Sequence, residues 1–84
     1  MFQIIVERSA EKDLKRIASE VRPKLATAIR ALAVDPRPHG CRKLVGSEND
    51  WRIRVGDYRV IYEIADEIQI LRITRIRHRK DSYR

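Results

Sequence analysis

The chain has 84 residues, with 19 Lys plus Arg against 12 Asp plus Glu, a formal charge of +7 at neutral pH and a sequence pI of about 10.2. A domain of this size buries only about 60–65% of the surface its unfolded chain exposes, which excludes a deep internal active site and fits one domain over residues 1–84. The surplus of cations on so small a body points to polyanionic partners, nucleic acid or an acidic protein.

The single cysteine, Cys41, has no partner for an internal disulfide. Small secreted domains ordinarily need several bridges, so a reducing cytoplasm is the expected compartment. The opening MFQIIVERSAEKD has an apolar run too short for a secretory core and followed at once by charges, and no window approaches the ~18 apolar residues of a membrane span. The expectation is a soluble cytoplasmic protein with no membrane contact.

In chain order, Phe2, Ile4 and Val6 alternate with Gln3 and Glu7 and predict an opening strand with one buried face, although Ile5 interrupts the alternation. Ser9 is the expected N-cap of a first helix, with Glu11 in the turn where the helix dipole favours an anion. Ala10, Leu14, Ile17, Ala18 and Val21 recur at helical spacing, and so do Leu25, Ala28, Ile29, Leu32 and Ala33 after Arg22-Pro23. Pro23 suits the first turn of the second helix, and Asp35-Pro36 is expected to close it. DPRPHG, residues 35–40, is loop punctuation. His39 and Cys41 lack the second ligand pair of a zinc site, so they are taken as loop residues, and neither a metal nor a cofactor is expected.

WRIRV, YRVIYEI and EIQILRITRI predict three strands joined by turns at Gly56-Asp57 and Ala65-Asp66. The expected fold is α+β: an N-terminal strand, a two-helix hairpin and a three-strand antiparallel meander, making one four-stranded sheet with the helices packed on one face. The ending IRHRKDSYR is expected to leave the sheet.

Strand parity turns this pattern into a surface. Trp51, Ile53 and Val55 point one way and Arg52 and Arg54 the other; Tyr58, Val60, Tyr62 and Ile64 share one face, and Arg59, Ile61 and Glu63 the opposite one. In ordinary hairpin register the three arginines stand together, and the three aromatics Trp51, Tyr58 and Tyr62 belong to the core or its rim. A cradle for phosphate is one explanation, because the guanidinium fork matches phosphate oxygens. A solvated face balanced by Glu63 or Glu48 is the other. The last thirteen residues add Arg72, Arg75, Arg77, Arg79, Lys80 and Arg84, with the titratable His78 and the flat ring of Tyr83 among them. Basic, titratable and aromatic groups together are what a surface that binds and cleaves RNA requires; a solvated basic tail that merely aids solubility is the other reading of the same composition.

The order strand, helical hairpin, KLVG at 43–46, WRIRVGDYRVIYEI and a terminal HRKDSYR resembles the RelE/ParE superfamily of bacterial and archaeal toxins along essentially the whole chain. The resemblance implies the toxin of a type II toxin-antitoxin system, a ribosome-dependent mRNA endoribonuclease that cuts in the ribosomal A site and is neutralised by an acidic cognate antitoxin. By the same resemblance Arg59 stabilises the phosphate, Arg79 assists the leaving group and Tyr83 stacks on or orients the nucleotide. Arg52 and Arg54 stand where the best-studied RelE pattern has lysines, and with Lys43 and Lys80 they are expected to bind phosphate. Arginine remains protonated at physiological pH and is a poor base, so a proton-transfer role, as base or acid, is assigned to His78. The alternative is a ParE-like toxin that inhibits DNA gyrase without cleaving RNA.

Overall fold

The computed structural model describes residues 1–80. The opening run forms strand β1, Gln3–Val6; helices α1, Arg8–Lys15, and α2, Arg22–Ala31, follow; then come β2, Arg42–Lys43, β3, Asp50–Val55, β4, Tyr58–Ala65, and β5, Ile70–His78. The strands make one sheet in the order β1-β5-β4-β3-β2. The meander β3-β4-β5 is antiparallel as expected, but the sheet has five strands and is mixed. The additional strand is the two-residue β2, whose Arg-Lys pair carries no apolar alternation to announce it. The parallel pair is β1 with β5, which the helical hairpin permits by carrying the chain across the sheet.

Local capping differs from expectation for visible reasons. Glu7 still donates its backbone N–H to Ile73 O at 2.9 Å, so the chain passes from the ladder directly into α1. Glu7 is the N-cap, and Ser9, already inside the helix, donates its hydroxyl sideways to Thr74 O at 2.6 Å. Past the end of α1 at Lys15, Arg22, the first residue of α2, reaches back: Nε donates to Ile17 O at 3.0 Å and Nη2 to Lys15 O at 3.2 Å. These bonds satisfy carbonyls that the helix end would orphan. Pro23 lies in the first turn of α2, as expected. That helix ends at Ala31, short of Asp35, and a tightened turn, including Val34 N–H to Ala31 O at 3.2 Å, carries the chain to the proline.

The helices cover one sheet face. Ala10, Ile17, Leu25, Ile29 and Leu32 from the helical segment pack with Ile53, Val60, Tyr62, Ile64, Leu71, Ile73 and Ile76 from the strands. Strand β5 runs on to His78 rather than leaving the sheet after the arginines begin, because Ile76 continues the buried stripe opposite Val60. Strand β1 ends opposite Ile73, which would leave the outer edge of β5 open beyond that point. Helix α1 closes it with Ser9 on Thr74 O and with Asp13, whose Oδ2 accepts both the Ile76 N–H at 2.9 Å and the Arg75 Nε–H at 3.0 Å. An exposed ladder edge is thereby removed.

The aromatic assignments agree with parity. Trp51 is a half-buried rim residue with the Arg37 guanidinium 5.0 Å above its ring. Arg37 is anchored in turn by two bonds to Asp66, the shorter 2.8 Å, and holds that carboxyl below its ordinary range. Tyr62 is fully buried and donates its hydroxyl to Pro36 O at 2.8 Å, tying the Pro-rich loop to the core. Burial pushes its phenol pKa far above the ordinary value. Between the ordinary tyrosine value of about 10 and the raised folded value, the unfolded chain has lost a proton that the folded one keeps. Stability is therefore fully present below pH ~10 and falls as pH rises above it. Tyr62→Phe should flatten the alkaline limb of a urea-stability profile; an unchanged limb would show that another group controls it.

Candidate functional site

The face opposite the helices carries the arginines. The Gly56-Asp57 turn, with Gly56 at φ 60, joins β3 to β4 as a two-residue hairpin, and its register is fixed by the pairs Val55 with Tyr58 and Arg54 with Arg59. Residues directly opposite on antiparallel strands share a face. Arg54, Arg59 and, across the next pairing, Arg77 therefore form one row over three strands. A second row runs from Arg42 through Arg52 to Ile61 and Arg75. Arg42, Arg52, Arg54 and Arg59, with Gly40 and Ile53, line a concavity of about 240 Å³.

Like charges placed directly opposite cost roughly 0.2–1 kcal/mol per pair. The two carboxylates that the sequence offered as compensation do not reach this row. Glu63 is opposite Arg72, in a loose pair at 3.7 Å, and among the described residues no ion pair of Glu48 occurs. Arg75 is drawn to Asp13. Arg54 donates Nε–H to the Gly56 carbonyl at 3.2 Å, and no carboxylate pairs with Arg52, Arg54 or Arg77 among the described residues.

The sequence-derived candidates divide between the two sides of the sheet. Arg52, Arg54 and Arg59 are together. Lys43 is opposite Trp51 and shares its side, so Arg42, which sequence reasoning passed over, is the β2 residue beside Arg52. His78 is opposite Tyr58 on the helix side, with the two rings edge to face at 5.1 Å; the sheet separates it from Arg59. Its Nδ1 accepts the Lys80 backbone N–H at 3.3 Å, so the neutral ring carries its proton on Nε2. Arg79 and Lys80 follow in the exposed turn, where the Arg79 N–H donates to Asp57 O at 2.7 Å and its guanidinium lies 3.9 Å from the Asp57 carboxylate. Tyr83 lies outside the described residues. Arg77 is the residue that sequence reasoning counted only as part of the basic tail.

A second hollow of about 250 Å³ lies around the end of β5, lined by Asp13, Arg16, Ile17, Tyr58, Arg75, Ile76, Arg77 and His78. Arg77 thus stands in the arginine row and on the wall of the hollow that holds His78. Among the described residues no group of three His, Cys, Asp or Glu side chains is arranged to hold a metal, and no helix is long and apolar enough to cross a membrane.

Comparison with known proteins accounts for this architecture. Residues 4–83 match the family described as the ParE toxin of type II toxin-antitoxin systems, parDE. Putative toxin RelE1 of Methanocaldococcus jannaschii is 28% identical over 86 residues, a span covering 99% of this chain and 96% of the relative. The toxin in a RelB-RelE antitoxin-toxin complex from Methanococcus jannaschii superposes with a TM-score of 0.74 at 28% identity, covering 94% of each chain. A chain of the archaeal RelE-RelB complex from Pyrococcus horikoshii OT3 has the same fold, with a TM-score of 0.82 at 23% identity over 93% of this chain and 94% of that one. The chain belongs to the ParE toxin family of type II toxin-antitoxin systems, within the RelE/ParE superfamily.

Proposed function

We propose that this toxin is a ribosome-dependent mRNA endoribonuclease of the RelE kind, acting in the cytoplasm on mRNA in the ribosomal A site. The observation that carries the reading is the cross-strand row of arginines on the sheet face opposite the helices, where among the described residues no carboxylate pairs with Arg52, Arg54 or Arg77. Such a face recognises phosphate by charge and by the geometry of the guanidinium fork.

Cleavage proceeds by attack of a 2′-hydroxyl on the adjacent phosphodiester. Arg59, at the centre of the row, stabilises the charge that grows on the phosphorane, and Arg52 and Arg54 hold the flanking backbone. Arginines do not accept the 2′-hydroxyl proton, which passes to solvent water as the oxygen attacks phosphorus. The departing 5′ oxygen takes its proton from solvent, because His78, the residue expected to transfer it, is turned to the helix side of the sheet, away from Arg59. Arg79 and Tyr83 assist at the leaving group and the nucleotide, and Lys43 and Lys80 add long-range attraction.

The partner is an acidic antitoxin. Its RelE relative from Methanococcus jannaschii was solved in complex with the antitoxin RelB, and the same arginine face that attracts RNA attracts carboxylates. Primer extension on a reporter mRNA, with protein added to translating and to ribosome-free reactions, tests the activity. Cuts within codons that need ribosomes are expected. Intact mRNA in both reactions, from protein that still arrests growth, would move the target to gyrase.

A further inference from the structure

Strict alternation along β5 would point Leu71, Ile73, Arg75 and Arg77 to one side, the buried one. The pairing with β4 avoids this: Tyr62 is opposite Ile73 and Ile61 is opposite Arg75, so Thr74 is an extra residue, a β-bulge. Its hydroxyl donates to Ile61 O at 3.1 Å, and its carbonyl accepts from Ser9. The bulge inverts the parity of everything after it. Ile76 turns into the core and Arg77 turns out beside Arg59.

We propose that Arg77 is a phosphate-binding residue, set on the arginine face by the Thr74 bulge, which extends an RNA track from Arg54 and Arg59 across the third strand toward Arg16. Three observations carry this. Arg77 is directly opposite Arg59, which is directly opposite Arg54. Its neighbours on the same strand are engaged, Arg75 by Asp13 and Arg72 by Glu63, whereas Arg77 has no such partner among the described residues. It also walls the hollow in which Arg16 lies, so a backbone leaving the row meets a further cation. With strands about 4.8 Å apart, the row spans roughly 10 Å at the backbone, enough for more than one phosphate of a single strand. The proposal rests on the reading of the face as an RNA surface.

The test is binding of a single-stranded 2′-O-methyl oligonucleotide, which lacks the attacking hydroxyl, measured by anisotropy over a range of salt. Arg77→Gln should reduce affinity severalfold at low salt and shallow the slope of log K against log salt by about 0.7, the value for one phosphate contact. Arg72→Gln, on the same strand and face but paired with Glu63, should keep the wild-type slope. Arg77→Gln should also melt a few degrees above wild type, because it removes like charge opposite Arg59, so lost binding will not come from lost fold. Wild-type affinity and slope in Arg77→Gln would overturn the proposal. So would equal losses in Arg72→Gln, which would reduce Arg77 to one part of a diffuse field. Reduced binding in Arg77→Gln alone, with no mRNA cleavage by the wild type, would uphold the track and reject the nuclease.

Discussion

Arg59→Ala should lower the rate of ribosome-dependent mRNA cleavage by about 10²–10³-fold, the usual loss when one preorganised donor to a developing anion is removed. The size of the expected effect follows from position. Arg59 is flanked by Arg54 on one strand and Arg77 on the other, so it is the one guanidinium of the row that a phosphate held by either neighbour must also meet. Its removal also relieves two like-charge oppositions on the sheet. Arg59→Lys keeps the charge and loses the planar fork, and should fall between wild type and alanine. Rates from single-turnover primer extension, with circular dichroism melts of each variant, check this. A folded Arg59→Ala protein that cuts at the wild-type rate would remove Arg59 from the mechanism.

How much of this surface could be read from the sequence depended on where chain periodicity was unbroken. In WRIRVGDYRV the alternation is regular on both sides of a two-residue turn, and such a turn leaves only one register. The adjacency of Arg52, Arg54 and Arg59 was legible for that reason. Strand β5 was legible as a strand, but the face of each residue after Thr74 was not, because a bulge leaves no mark in composition and its one-residue shift exchanges the two faces. Arg77 was therefore counted as tail, and His78 was grouped with arginines from which the sheet separates it. Strand β2 went unseen because two charged residues carry no period, and with it went the placement of Arg42 beside Arg52 and of Lys43 beside Trp51. The end of α1 was missed for a related reason: Arg22 caps it from across a turn, a tertiary contact that local cap chemistry does not encode.

The early end of β1 explains why the support of the site lies in α1. Beyond Ile73 the outer edge of β5 has no strand to pair with, and the polar side chains of α1 meet it: Ser9 at Thr74 O and Asp13 at the Ile76 N–H and the Arg75 guanidinium. Asp13→Ala should accordingly destabilise the fold by about 2–4 kcal/mol, the sum of an orphaned backbone donor near the core and a charge-assisted bond reduced by the partial exposure of Arg75. For a domain with a total stability on the order of 5–15 kcal/mol, that is a large fraction. Asp13→Asn keeps an acceptor for Ile76 and should lose less than alanine. Urea titrations of the three proteins measure the difference, and hydrogen exchange should show the Ile76 amide opening most in alanine. If Asp13→Ala unfolds within 0.5 kcal/mol of wild type, α1 does not hold the edge of β5, and the orientation of Arg77 must be fixed by the Thr74 hydroxyl on β4 alone.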